Sequence, residues 1–387
     1  MDQSKQLDKS SSTFCILPFI HINAAVSGHL RPCCNTRVHF PFKDNEISLK
    51  DAFHSKEMDE LRRQLSNNEK PDMCKVCWDN EAIGMTSQRI KSNKKFKNKD
   101  ELKLTYLDMK FDNKCNLQCR MCSPYSSNLI WKTVEQFDEI PGHLSYLDMD
   151  KKTYDANNNS EKRKQYVVDA LPDLTYLKVT GGEPFISDDF LNVLDIAVSS
   201  GYSKNITLSI TTNGTKFNKK IIEMFKHFKD IHINISIDGI DEVYNYIRYP
   251  YDYKLWKERV NNFISMMSSM KYSLQFSTVV TAYNYLNLPK INDELLHLNK
   301  KCHISFNYDL KPEYSEMHAK YLPRHILDYS FLDSQVKFSY AHRDTETKRE
   351  ELLKTTLAFD KIRNQSYEVL HPLLVDWLQG VDSNHHI

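Results

Sequence analysis

The chain has 387 residues, 40% of them hydrophobic and 27% charged, which suits a folded protein with a sizeable core. Lys and Arg number 52 against 51 Asp and Glu, so the net charge is +1 and no global field draws the chain to nucleic acid or to an anionic membrane. No run approaches the ~18 apolar residues of a membrane span and the polar start leads into no secretory signal, so a cytoplasmic protein is expected.

Taken in order, residues 1–12 read as a disordered tail. Residues 13–90 hold the first group of cysteines, and Leu49, Phe53, Met58, Leu61 and Leu65 predict a helix over 49–66. Residues 91–103 are basic and poor in hydrophobic side chains, the composition of a solvated linker. From 104 the pattern becomes strand–helix–strand, repeated. Strands are expected at 104–111, 174–180, 205–212, 231–238, 272–281 and 302–310, with helices at 124–138, 188–200, 217–229, 253–270 and 289–299. That alternation is the α/β signature of a parallel sheet with helices outside it, either an open sheet or a partial barrel. The polar segment 141–165 reads as an insertion or mobile loop, and 311–387 as a helical C-terminal extension.

The strands depart from the near-continuous apolar runs of a parallel sheet buried on both faces. Ile231, Ile233, Ile235 and Ile237 interleave with His232, Asn234, Ser236 and Asp238. Leu107, Met109 and Phe111 interleave with Asp108, Lys110 and Asp112. Period two puts a polar face opposite an apolar one. Either the sheet is antiparallel with one face in water, or it is curved around a polar cavity. The intervening helices favour the cavity, with Asp108, Lys110, Asn234, Gln275 and Asn307 as its candidate lining.

Nine cysteines in a chain with no export signal are expected as metal ligands or catalytic groups rather than disulfides. Cys115, Cys119 and Cys122 form C-x3-C-x2-C directly after the first strand of the α/β repeat. Three thiolates on a short loop suit three corners of an iron–sulfur cubane; a zinc site borrowing a fourth ligand is the alternative. The next strand ends in Thr180-Gly181-Gly182-Glu183-Pro184. Adjacent glycines at the C-terminal end of a strand let backbone approach a small molecule, and this chain has only nine glycines.

The C-x3-C-x2-C after one strand and the Gly-Gly-Glu-Pro after the next, in this order, resemble the radical S-adenosylmethionine (radical SAM) enzymes over roughly 104–310. The resemblance implies a partial (βα)6 barrel of TIM-like type. It implies a [4Fe–4S] cluster on Cys115, Cys119 and Cys122, with S-adenosylmethionine on its open iron. Gly181, Gly182 and Glu183 then hold the methionine amine end. Thr211, Asn213, Ser236, Asp238 and Arg248 match positions that contact the ribose or carboxylate. A capped turn before Gly214 explains Thr211 and Asn213 equally well.

Cys15, Gly28 and Cys33 give C-x12-G-x4-C, followed by Cys74-Lys75-Val76-Cys77. Coordination chemistry alone leaves one zinc or one iron–sulfur cluster open. The arrangement, with Glu81, Gly84, Ser87 and Arg89, resembles a twitch domain, a shortened SPASM domain that binds an auxiliary [4Fe–4S] cluster, placed here before the barrel. Cys34 is the rival of Cys33 for the ligand position, and the glycine spacing favours Cys33. Cys302 is expected as a buried structural thiol, and His21, His29 and His39 as loop or core residues.

The resemblance implies reductive cleavage of S-adenosylmethionine to a 5′-deoxyadenosyl radical that abstracts hydrogen from a polar substrate, either a peptide side chain or a sugar- or nucleotide-linked small molecule. It further implies a one-electron donor such as flavodoxin or ferredoxin. A zinc-binding scaffold is the rival class. Nothing in the sequence assigns a catalytic acid, base or nucleophile.

Overall fold

The computed structural model describes residues 7–26, 28–36, 47–137, 160–298, 304–309, 316–328 and 345–381. The chain is mixed α/β and mostly parallel. It divides into two compact units: Met1–Asp112 with Lys152–Ile210 and Glu223–Ile231, and Asn113–Lys151 with Thr211–Ile222 and His232–Ile387.

All six expected strands form. They are β3 (Tyr106–Lys110), β4 (Tyr176–Thr180), β5 (Thr207–Thr212), β6 (Asp230–Ser236), β7 (Ser273–Val279) and β8 (Ile304–Asp309). Two further strands precede them, β1 (His21–Ala24) and β2 (Leu30–Arg31). In the first unit β1 pairs antiparallel with β2 and parallel with β3, and β3–β4 and β4–β5 are parallel. In the second unit β6–β7 and β7–β8 are parallel. The antiparallel reading of the alternating strands is therefore excluded.

The period-two pattern holds where it was expected. Ile231, Ile233 and Ile235 of β6 are buried, and His232, Asn234 and Ser236 are half-buried. β3 differs: Tyr106 and Asp108, on its polar face, are buried as well. The N-terminal segment accounts for the difference in part, because Leu17, Cys15 and Cys33 pack with Tyr106 and Tyr176.

Several local expectations are corrected. The helix expected over 49–66 is two, Leu49–Phe53 and Lys56–Ser66, because the Ser55 hydroxyl caps the second by accepting from Met58 N–H (3.3 Å). Residues 91–95 close a helix, Gln88–Lys95, capped by Ser87 and ending in Lys94 and Lys95, which suit the C-terminal end of its dipole. Residues 7–12 are packed: Leu7 N–H donates to the Asp100 carbonyl (2.8 Å), and the buried Ser11 donates to the Leu65 carbonyl (2.7 Å). The helix expected over 124–138 spans only Leu129–Val134, and Ser160–Ala170 is helical where an insertion was read. Residues 141–159, His39 and Cys302 lie outside the described residues, as does the Asn307 side chain. The C-terminal extension is helical at Thr345–Arg363 and Pro372–Leu378. No helix among the described residues is long and apolar enough to cross a membrane.

Candidate functional site

Cys115, Cys119 and Cys122 lie on the irregular segment that follows β3. Its backbone is pinned within the second unit. Gln118 N–H donates to the Tyr249 carbonyl (2.7 Å) and Arg120 N–H to the Ile247 carbonyl (2.9 Å). The Ser127 hydroxyl donates to the Leu117 carbonyl (2.6 Å), and Asn128 Oδ1 accepts from Cys115 N–H (3.1 Å). Two donors are aimed at the Cys115 sulfur, Leu117 N–H at 3.4 Å and Asn213 Nδ2 at 3.7 Å. A hydrogen bond from the Cys122 thiol holds Cys119 below the usual thiol range; burial opposes it, and the Arg248 and Arg363 guanidinium charges add to it. Donors on the Cys115 sulfur and nearby cations at Cys119 favour thiolate, the form that ligates iron. The donor set thus fits a cluster held by three cysteines.

Asn213 secures this loop from the end of β5. Its Nδ2 also donates to Asn116 Oδ1 (3.0 Å), and its Oδ1 accepts from Thr215 N–H (2.9 Å), an Asx turn. The capped-turn reading of Asn213 holds, and the same amide also touches the cysteine loop. Gly214, at φ +74°, is confined by Trp256 Nε1 and Ile235, which a Cβ would meet at 2.8 and 2.9 Å.

Arg120, between two of the cysteines, is fully buried. Its guanidinium pairs with Asp360, donates to Gln365 Oε1 (3.0 Å) and to the Tyr246 carbonyl (3.0 Å), and lies 3.6 Å above the Tyr246 ring. Asp360 belongs to the C-terminal helix Thr345–Arg363 and also accepts from Tyr367 N–H (2.8 Å). The C-terminal extension is thereby fastened to the cysteine loop. Sequence reasoning missed this pair, since its partners stand 240 positions apart. Asp360→Asn leaves a buried guanidinium without its counter-charge and is expected to lower unfolding free energy by about 3 kcal/mol, read as a shift of the urea midpoint.

Asp238 is fully enclosed. Its carboxylate pairs with Arg248 (2.5 Å) and accepts from Val279 N–H (2.8 Å), so it serves Arg248 rather than an open surface. Burial works against the Arg248 charge, but the Asp238 carboxylate, with Cys119, Tyr244 and Cys122 adding to it, outweighs burial and holds the guanidinium protonated. Arg248 is 6% exposed and its Nε has no hydrogen-bond partner among the described residues. Thr211 and Ser236 are half-buried, and Thr211 Oγ1 receives a long contact from Asn234 Nδ2 (3.5 Å).

In the first unit, Gly181 takes φ +132°, and a Cβ there would sit 2.8 Å from the Asp112 carbonyl oxygen. Gly182 N–H donates to that same carbonyl (3.3 Å). Glu183 is buried, its carboxylate accepting from Phe185 N–H (3.1 Å), and Ser187 donates to the Asp112 carboxylate (2.6 Å). The glycine pair thus lets the β4 turn lie against the backbone that follows β3.

The N-terminal cysteines meet in the same unit. Cys15, Cys33, Cys74 and Cys77 line one cavity of about 360 Å³, its opening included, together with Leu17 and Arg89. Cys34 does not line it and is exposed. Arg89 fixes Cys15 from behind: it donates to the Phe14 carbonyl (2.9 Å) and pairs with Glu81 (2.6 Å), which also accepts from Ser87 (2.5 Å). These are the residues that accompanied the cysteines in the sequence pattern, so the pattern reflects a brace. Burial pushes the Cys33 and Cys74 thiols up to about 12, and Cys15 well above its usual range with the neighbouring thiols adding to it. Thiols raised in this way ionise together only around a cation that offsets their charge, as bound iron or zinc does. No three His, Cys, Asp or Glu side chains among the described residues converge to hold a single ion.

Residues 109–298, which include the cysteine loop, the glycine turn and Arg248, match the Radical SAM superfamily. That match covers just under half of the chain. An uncharacterized protein of Methanocaldococcus jannaschii is 28% identical over 57% of this chain and 67% of its own length. The GTP 3′,8-cyclase of Campylobacter fetus subsp. fetus is 29% identical over 35% of each chain. Among solved structures, SuiB of Streptococcus suis is 16% identical with a TM-score of 0.37, covering 88% of this chain and 61% of that one. The chain spans two thirds of one of these curated relatives and about a third of the other.

Proposed function

We propose that this chain is a radical SAM enzyme that cleaves S-adenosylmethionine reductively and directs the 5′-deoxyadenosyl radical at a C–H bond of a polar substrate. The observation that carries the reading is the three-thiol loop, with two N–H groups on the Cys115 sulfur and the Arg248 and Arg363 charges favouring thiolate at Cys119. Cys115, Cys119 and Cys122 would hold a [4Fe–4S] cluster and leave one iron without a protein ligand. When bound, that cluster would supply the one-electron reduction that cleavage of the S-adenosylmethionine sulfonium needs. The chain's own residues bind and orient. Gly181, Gly182 and Glu183 would take the methionine amine. Arg248, with an unmet Nε, would take the carboxylate or ribose, with Thr211 and Ser236 beside the same strand ends. Asn213 and Asp238 act through others, steadying the cysteine loop and Arg248.

The cavity of Cys15, Cys33, Cys74 and Cys77 would hold a second, auxiliary [4Fe–4S] cluster of twitch type. Zinc requires four sulfurs about 2.3 Å from one point, and no such convergence is found among the described residues. Anaerobic reconstitution is expected to give about eight irons per chain, and Cys74→Ala about four. Stoichiometric zinc without iron after anaerobic purification supports the scaffold class instead.

The substrate reading places a peptide or protein side chain first, by the twitch resemblance. A nucleotide-linked small molecule is the second reading, favoured by the relatives named GTP 3′,8-cyclase. The expected electron donor is a flavodoxin or ferredoxin, in the cytoplasm. Incubation with deuterated candidates of both classes tests the reading, since the true substrate passes deuterium to 5′-deoxyadenosine.

A further inference from the structure

The polar face of β1, β3 and β4 holds two buried acceptors that the site described above does not use. Register places His21 beside Tyr106, and Asn23, Asp108 and Lys178 side by side, all on one face of the sheet. His21 is 1% exposed and Asp108 2%. The Lys178 ammonium occupies one oxygen of Asp108 (Oδ2, 2.8 Å); Oδ1 is buried without a partner among the described residues. His21 Nδ1 lies 2.9 Å from the Pro32 carbonyl, which only accepts, so Nδ1 carries the proton. Burial holds His21 down at about 4, so the ring is neutral and Nε2 is a bare lone pair. That nitrogen too is buried without a partner. His21 and Asp108 are diagonal neighbours on adjacent strands, and the Asp108 charge is felt at His21.

A buried acceptor left unmet costs free energy that folding does not return. Two of them on one face, both lacking a donor, form a receptor for one. The face is not sealed: Lys178 and Lys110 are half-buried and Cys34 is exposed. Lys178 also stands three residues before Gly181, so strand rise puts the two Cα atoms roughly 10 Å apart along β4. The face therefore leads to the turn assigned to the methionine amine.

The geometry points to a substrate subsite on this face, in which Asp108 Oδ1 and His21 Nε2 accept from an N–H or O–H group of the substrate while Lys178 holds Asp108 in place. The subsite rests on the proposed radical SAM reading and names the chemistry its substrate presents: a hydrogen-bond donor, from a peptide amide or from a sugar hydroxyl. The N-terminal segment, through β1, supplies half of it.

Three probes separate the possibilities by saturation-transfer NMR on the intact, reconstituted protein. They are N-acetylglycine N-methylamide, its fully N-methylated analogue lacking any N–H, and methyl α-glucopyranoside. The secondary amide or the glucoside is expected to bind at least tenfold more tightly than the N-methylated analogue, and which of the two wins identifies the source of the donor. Asp108→Asn, which replaces an acceptor oxygen by an amide, is expected to remove that preference. Equal binding of all three probes, no binding of any, or an unaltered preference in a folded Asp108→Asn overturns the subsite. Release of 5′-deoxyadenosine by the wild-type protein with dithionite is read separately, so the subsite and the proposed activity fail independently.

Discussion

Cys119→Ala is expected to abolish release of 5′-deoxyadenosine from S-adenosylmethionine and to lower iron from about eight to about four per chain. Cys119 is the buried member of the loop, and its sulfur is the one that Cys122, Arg248 and Arg363 act upon. With two thiolates left, the loop no longer fills three corners of a cubane. The four N-terminal thiols are untouched, so the remaining iron measures the auxiliary site alone. A variant that retains eight irons, or one that still cleaves S-adenosylmethionine at the wild-type rate, contradicts the assignment of this loop.

The second large effect is expected at Gly181. Alanine there must hold a φ that side chains rarely adopt, and its Cβ must share space with the Asp112 carbonyl oxygen at 2.8 Å. Backbone strain of this kind costs about 1–3 kcal/mol, and displacing the neighbouring backbone adds to it. The turn then shifts by a fraction of an ångström or more. Since Gly181 and Gly182 are assigned to the methionine amine, Gly181→Ala is expected to reduce S-adenosylmethionine cleavage at least 100-fold while leaving iron content near the wild-type value. A variant with full activity shows that the close approach serves packing alone.

How far the sequence carried these conclusions differs by element. The six strands of the α/β repeat were legible because each alternates apolar with polar residues over five to seven positions, a strong period-two signal. β1 and β2, four and two residues long, give no measurable period; β1 exists because β3 offers it a hydrogen-bonding edge. The helix Ser160–Ala170 was hidden by its polar surface: only Arg163, Tyr166 and Val167 are buried, and Arg163 donates to the Phe111 carbonyl (2.9 Å) rather than facing solvent. The basic stretch was misread because lysines at a helix C-terminus and lysines in a linker share a composition.

The candidate site divides the same way. The cysteine spacings and the glycine pair were readable because local chain geometry dictates them. Arg120 with Asp360, and His21 with Asp108, were not, because tertiary contact alone brings them together. The choice between Cys33 and Cys34 falls between: glycine spacing favoured Cys33, and Cys33 is the one that lines the cavity.

The central claim is that one iron on the Cys115–Cys122 loop has no protein ligand and receives S-adenosylmethionine. Electron–nuclear double resonance on the dithionite-reduced protein, with S-adenosylmethionine carrying 15N at the amine, tests this directly. The account predicts a hyperfine coupling from that nitrogen, present in the wild type and lost in Cys119→Ala. A reduced cluster signal that shows no coupling to the label, in protein carrying its full iron, contradicts it.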